Sequence, residues 1–326
     1  MSEKELSKTI GILTSGGDAP GMNAAVRAVV RYCINKGHKV IGINRGYAGL
    51  LDDDMEEMTL RSVSEIIHRG GTILQTARSD EFNSPEGVAK AHKICMKHHI
   101  DSLVVLGGDG TFRGALDLSR TGINCVGIPC TIDNDIACSD YSIGFDTAQN
   151  TAMDMIDKLR DTSRSHNRCS VVEVMGHKAG WLALETGLAC GALSILVPEC
   201  KWDFSKDIVE RMTSTMKTGK KHFIIVMAEG CGSSYELAQK IEDATGVTAR
   251  ATVLGHVQRG GSPTTRDRVM ASTMGIYAAQ LALSDDGNKV VVFRNGKVAS
   301  MDFEKAFEMK KPFDKKLLEL AKEISI

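Results

Sequence analysis

The sequence predicts an α/β protein with doubly wound, mostly parallel sheets, arranged as two domains or one large unit. Three observations carry this. Short β-branched runs alternate with helical patterns along almost all of the 326 residues, the order that yields parallel sheets covered by helices. That length exceeds one domain of the usual ~100–200 residues. The glycine-rich and acidic clusters all fall at the carboxyl ends of predicted strands, where such sheets collect ligands.

Taken in order, an apolar strand at 9–14 feeds a helix at 23–35, and a second strand follows at 39–43. A helix at 86–98 precedes strands at 102–106 and 123–128, both nearly continuous apolar runs that read as buried on two faces. A helix at 146–160, a strand at 169–174 and a helix at 178–189 come next. The pattern continues with a strand at 194–197, a helix at 205–216, a strand at 223–227 and a helix at 234–244. A long helix at 266–283 and a strand at 290–293 close the series.

Bulk properties narrow the function. The net charge of −1 supplies no basic field for nucleic acid or an anionic membrane surface. The first eight residues are polar and lack the apolar core of a signal peptide, and no run is long enough to span a bilayer. Nine scattered cysteines without a Cys-x-x-Cys pair suit reduced thiols better than a disulfide framework or structural zinc. A cytoplasmic location is the expectation.

Three segments carry the chemistry. Thr14-Ser-Gly-Gly-Asp-Ala-Pro-Gly-Met-Asn23 lies between strand and helix, with Gly16, Gly17 and Gly21 letting backbone N–H groups approach an anion. An ordinary turn with Asn23 near the helix cap would read the same way. The loop matches neither the P-loop nor the dinucleotide fingerprint. In Gly107-Gly-Asp-Gly-Thr111, Gly108 and Gly110 clear the path of a phosphate chain, and Asp109 suits Mg²⁺, a hard cation that keeps waters. Thr131-Ile-Asp-Asn-Asp135 places two carboxylates behind a buried strand. Asp133 and Asp135 can divide proton transfer and orientation at a hydroxyl acceptor. Arg168 precedes a predicted strand, and Arg250 and His256 flank the apolar run 251–254, so these three could sit at strand ends.

Together with Val172-Glu-Val-Met-Gly176 and Gly255-His-Val-Gln-Arg-Gly-Gly-Ser-Pro263, these segments resemble bacterial 6-phosphofructokinase, from about Ile10 to Phe313 and in the expected order. The resemblance implies two doubly wound, mostly parallel-sheet domains with the active site between them. Residues 1–142 and 258–311 would form the nucleotide-binding domain, and 143–257 and 312–326 the sugar-phosphate domain. It implies Mg²⁺-dependent transfer of the ATP γ-phosphate to the 1-hydroxyl of fructose 6-phosphate, a step of glycolysis. Asp133 would be the base, with Asp135 orienting it, Thr131 touching the transferred group and Arg78 stabilising charge. Gly17, Arg78, Ser79, Gly108, Asp109, Gly110 and Thr111 would line the ATP site, Asp109 serving the metal. Thr131, Ile132, Asp133, Arg168, Met175, Gly176, His177, Glu229, Arg250, His256, Val257, Gln258 and Arg259 would hold the sugar phosphate. The family is a homo-oligomer, typically a tetramer, in which Arg168 and Arg250 reach a neighbour's active site. An effector site for ADP or phosphoenolpyruvate would draw on Arg27, Arg31, Glu65, Arg160, Gly191, Lys220, Lys221 and His222.

The sequence departs from the pattern at four points. Cys130 stands where ATP-dependent members carry Gly and pyrophosphate-dependent ones Lys; it should leave room for a nucleotide with some narrowing. Gly110, in place of the acidic residue of pyrophosphate users, favours ATP. His177 replaces an Arg, and the Gly180-Trp-Leu-Ala-Leu184 run after it resembles a branch that includes pyrophosphate users. Leu60 and Leu193 replace an effector arginine and a metal-contacting glutamate, which predicts weakened or altered effector control. Pyrophosphate-dependent phosphofructokinase is therefore the alternative. An NAD or lipid kinase, or a non-catalytic sensor, is more remote.

Overall fold

The computed structural model describes residues 7–284 and 286–325, and the chain divides into two compact units. Unit 1 holds residues 1–131, 136–146 and 259–311, and unit 2 holds 132–135, 147–258 and 312–326.

Unit 1 opens with β1 (Thr9–Thr14), α1 (Met22–Asn35), β2 (Lys39–Ile43), α2 (Gly46–Leu51) and β3 (Met55–Glu57). It continues with α3 (Pro85–Lys97), β4 (Ser102–Gly107), α4 (Asp109–Ser119) and β5 (Asn124–Pro129). After unit 2 come α9 (Thr265–Leu283), β10 (Lys289–Arg294), β11 (Lys297–Asp302) and α10 (Phe303–Glu308). Unit 2 carries α5 (Phe145–His166), which starts at its boundary, then β6 (Cys169–Val174), α6 (Trp181–Ala189) and β7 (Ser194–Leu196). A π-helical turn at Ser205–Glu210 runs into α7 (Arg211–Met216). β8 (Phe223–Ala228), α8 (Ser234–Thr245), β9 (Ala249–Val253) and α11 (Lys315–Ile324) complete the unit.

Among the described residues, unit 1 has a seven-stranded sheet in the order β11-β10-β5-β4-β1-β2-β3. Its five inner strands are parallel, and β3 and β11 close the edges antiparallel. The strand order reverses around β1 and β4, so the loops after these two strands open side by side at the carboxyl end of the sheet. Unit 2 has a wholly parallel four-stranded sheet, β7-β8-β6-β9. The α/β expectation of mostly parallel sheets therefore holds in both units.

The inner strands form because they are apolar on both faces: every residue of β4 and of β8 is buried. Phe112, Phe303, Leu103, Val105 and Val290 meet in the unit 1 core. Phe223, Ile225, Met227, Met212 and Ile241 meet in that of unit 2. Helix starts follow capping chemistry. Ser84 accepts from the Gly87 N–H with Pro85 at the first turn of α3, Ser233 caps α8, and Thr264 caps α9. All nine cysteines are free, seven of them buried, which agrees with reduced thiols. No described helix is long and apolar enough to cross a membrane.

Three strands and three helices were not anticipated, and α4 was expected only as a helix beginning at Thr111. β3, β9 and β11 are edge strands with half-exposed, partly polar sequences that lack the apolar run of an inner strand. Helices α2 and α10 are six residues each, too short to show a period. α4 begins inside the glycine-rich motif, at Asp109, rather than at Thr111. α11 has a clear amphipathic spacing, with Leu318 and Ala321 buried, that could have been read.

Candidate active site

In unit 1 the two glycine-rich loops are tied together. The Ser15 N–H donates to Leu106 O at 2.9 Å, and the Thr111 hydroxyl donates to Ser15 O at 3.2 Å. Thr111 is thus buried and spends its hydroxyl on the neighbouring loop, while Tyr47 donates to its carbonyl at 2.7 Å. Asn23 is not the cap of α1, whose N-cap is Gly21. Its buried side chain instead accepts from Ile73 N–H at 2.8 Å and donates to Arg69 O and Gly70 O, pinning residues 69–73.

The glycines of the second motif divide into two kinds. A Cβ on Gly107 would lie 2.3 Å from Thr111 Oγ1 and 2.4 Å from Ser15 O, so packing demands glycine there. A Cβ on Gly108 would meet only Ile136 at 3.9 Å, and one on Gly110 would meet nothing within 4 Å. Neither Gly108 nor Gly110 has a positive φ. The fold itself asks for glycine at neither position, and both flank an exposed Asp109 in the first turn of α4. Open space over a helix N-terminus suits a phosphate chain.

Arg259 belongs to the same neighbourhood. Its Nη1 donates to Asp18 O at 3.0 Å, and the guanidinium lies over Gly17, where a Cβ would come within 2.3 Å. Arg78 is exposed, and Ser79 accepts from Phe82 N–H at 3.2 Å.

The segment after β5 places its groups in different settings. Cys130 is buried at 1 % exposure, bridged to Ile143, and burial together with Asp267 pushes its thiol pKa well up. Asp133 is 9 % exposed and Asn134, at φ +49°, is buried, whereas Asp135 is exposed. Sequence reasoning missed Asp267, fully buried, which accepts from Tyr141 Oη at 2.5 Å and Gly144 N–H at 2.7 Å. It holds the return limb of the same excursion, residues 136–146.

In unit 2 the β6–α6 loop collects Met175, Gly176 and His177. Gln258, fully buried, accepts from Met175 N–H at 3.0 Å, and Glu229 accepts from His177 N–H at 2.6 Å. His256 and Val257 are exposed beside Gln258. Arg168 sits just before β6, half-buried. Arg250 does not flank a strand; it lies within β9, where its Nη1 donates to Glu242 at 3.2 Å and to Ala249 O at 2.8 Å. That ion pair is largely exposed and contributes little.

The remaining basic residues form one group in each unit. Arg27 and Arg31 share a face of α1, and burial first, then Arg31, lowers the Arg27 pKa, partly offset by Glu65. In unit 2 Arg160 donates to Cys190 O, next to Gly191 at φ +58°. Burial and then Arg160 lower the Lys220 pKa; burial, Lys220, Arg160 and Arg164 lower that of His222. Lys221 is exposed beside them. Burial is the larger cause in both, and the added effect of Arg160 on each marks a local positive field suited to an anion. Leu60 is half exposed and Leu193 is buried, so neither supplies charge.

Residues 9–282 match the family model described as Phosphofructokinase. The ATP-dependent 6-phosphofructokinase of Clostridioides difficile is 54% identical over 319 residues, 98% of this chain and 100% of that protein. The enzyme of the same description from Oceanobacillus iheyensis is 53% identical over 98% of this chain and 100% of its own. Among solved structures, Pichia pastoris phosphofructokinase in the T-state superposes with a TM-score of 0.88 at 34% identity, covering 94% of this chain and 36% of that one. The chain spans 45% of the Saccharomyces cerevisiae phosphofructokinase chain that it matches. A pyrophosphate-dependent phosphofructokinase from Marinobacter aquaeolei shares the fold, with a TM-score of 0.83, at 21% identity over 94% of this chain and 85% of that one.

Proposed function

The chain belongs to the phosphofructokinase family, and from that premise we propose how its residues carry the reaction. The activity is ATP-dependent phosphorylation of fructose 6-phosphate, the activity named for relatives 53–54% identical over nearly the whole chain. The pyrophosphate alternative loses ground, because the matching chains named for that donor are 19–21% identical and speak to fold alone.

The observation that carries the nucleotide half is the pair Gly108 and Gly110: glycines that neither packing nor backbone requires, on either side of an exposed Asp109. Side chains there would occupy the space a triphosphate needs. Asp109 is one carboxylate at a helix N-terminus, a donor set that fits Mg²⁺ bound mainly by phosphate and water. The metal would neutralise charge on the β- and γ-phosphates. Asp133 takes the proton of the sugar 1-hydroxyl as that hydroxyl oxygen bonds the γ-phosphorus, and the bond from this phosphorus to the β–γ bridging oxygen breaks to release ADP. Thr131 touches the transferred group, and the always-charged Arg78 balances negative charge on it. Ser79 and Gly17 complete the nucleotide lining. Asp135, being exposed, is the weaker partner of the two carboxylates.

The sugar phosphate is held by Arg168, Arg250, His256 and Arg259, with Met175, Gly176, His177 and Glu229 along the sugar. Arg259 spends one of its five N–H donors on Asp18 O and keeps the others for phosphate. Arg168 and Arg250 serve a neighbouring subunit in a homotetramer. The Arg160, Lys220, Lys221 and His222 group, with Arg27, Arg31 and Glu65, receives an anionic effector of the ADP or phosphoenolpyruvate kind. Leu60 and Leu193 weaken that control. The reaction is glycolytic and cytoplasmic in this reading.

The test is Asp133→Ala. Turnover with ATP and fructose 6-phosphate should fall on the order of 10³-fold while sugar binding survives. Unchanged turnover would remove Asp133 from the chemistry; a wild-type chain that binds the sugar phosphate without turning it over would favour a sensor.

A further inference from the structure

One carboxylate in unit 2 has no part in the reaction as described, yet grips the loop that carries it. The loop between β6 and α6 is bent by Gly176 at φ +140° and His177 at φ +56°. Such a loop has no strand ladder to satisfy its N–H groups, so acceptors must come from elsewhere. Gln258 takes Met175 N–H at 3.0 Å and Glu229 takes His177 N–H at 2.6 Å. Gly176 O takes Ala179 N–H at 2.8 Å. The last, Gly180 N–H, donates to Glu199 Oε1 at 2.8 Å.

Glu199 stands just beyond β7, and its other oxygen, Oε2, is shielded from solvent with no hydrogen-bond partner among the described residues. A shielded carboxylate oxygen without a partner is costly. Gly180 is the N-cap of the nine-residue α6, so the positive end of that helix offsets part of the cost. The approach also requires glycine: a Cβ on Gly180 would lie 2.7 Å from Glu199 Oε2 and 2.4 Å from Val197 Cβ.

We propose that Glu199 is a positioning residue for sugar-phosphate binding, acting through Gly180 to fix the far end of the Met175–His177 loop. The inference rests on the reading of that loop as sugar-facing. Gln258 and Glu229 belong to the proposed substrate set and are drawn on when substrate binds. Among the described residues Glu199 is the one side-chain acceptor of this loop outside that set, so it holds the loop whether or not the sugar is present.

The test uses the full chain with fructose 6-phosphate and ATP. Glu199→Ala should raise KM for fructose 6-phosphate about tenfold, the loss of the acceptor for Gly180 N–H, with KM for ATP unchanged and kcat close to wild type. Glu199→Gln, which keeps a carbonyl oxygen for Gly180, should behave like wild type. Should Glu199→Ala fail to fold, Glu199→Asp withdraws the acceptor by one methylene and should show the same sugar-selective rise. Unchanged sugar KM in the variant, an equal rise in both KM values, or Glu199→Gln matching Glu199→Ala would overturn the proposal. A wild-type chain inert toward fructose 6-phosphate would instead sink the parent reading, and calorimetric binding of the sugar phosphate would then still test the loop.

Discussion

Cys130 occupies the position that looked most able to alter donor choice, and its environment removes that freedom. Burial and the neighbouring Asp267 favour the neutral thiol, and only the thiolate is a strong nucleophile. Maleimide labelling of the native chain at neutral pH should therefore leave Cys130 unmodified while the half-exposed Cys200 reacts; labelling of Cys130 on the same timescale would contradict this. His222 shows the opposite logic. Its folded pKa is lowered from 6.5 by burial and by the cations Lys220, Arg160 and Arg164. Below pH 6.5 the unfolded chain therefore binds more protons at this site, so the His222 contribution to stability is lost as pH falls from that value through the lower folded one. Urea melts across this window should show a smaller pH slope in His222→Asn than in wild type. Inorganic phosphate should reduce the wild-type slope by raising the folded value.

The loop after β4 separates what glycine does for the fold from what it does for a ligand. Gly107→Ala should cost about 1–3 kcal/mol through overpacking against Thr111 and Ser15, read as a lower melting temperature. Gly110→Asp meets nothing in the chain and should leave the melting temperature near wild type, yet strongly weaken use of ATP by placing a carboxylate beside the phosphates. A Gly110→Asp chain with normal KM for ATP would remove this loop from the nucleotide site. The motif was legible in sequence because its residues are consecutive and its job local. The inner strands were legible for the same reason, since β4 and β8 are unbroken apolar runs. Edge strands such as β9 carry no such run, so Arg250 was placed beside a strand rather than inside one. Tyr141 and Asp267 are 126 positions apart, and no spacing rule connects them. Glu199 was hidden likewise, because its partner is a backbone N–H nineteen residues away with no side-chain signature.

At the scale of the molecule, α/β architecture and family were both readable from the order of a few segments, each weak alone. The parallel sheets set loops at strand ends, and the proposed chemistry rests on the segments 14–23, 107–111, 131–135 and 255–263. The tetramer reading makes its own demand: if Arg168 serves a neighbour's site, then inactive Asp133→Ala and Arg168→Ala chains, mixed and reassembled, should regain activity by forming sites intact at both positions. No recovery would place Arg168 within its own subunit's site or outside any. The central claim is the choice of ATP as phosphoryl donor to fructose 6-phosphate, and it is tested most directly by measuring fructose 1,6-bisphosphate formation with ATP and with pyrophosphate side by side. Glycine at positions 108 and 110 predicts turnover with ATP and Mg²⁺ and almost none with pyrophosphate; turnover with pyrophosphate equal to or above that with ATP would contradict the account.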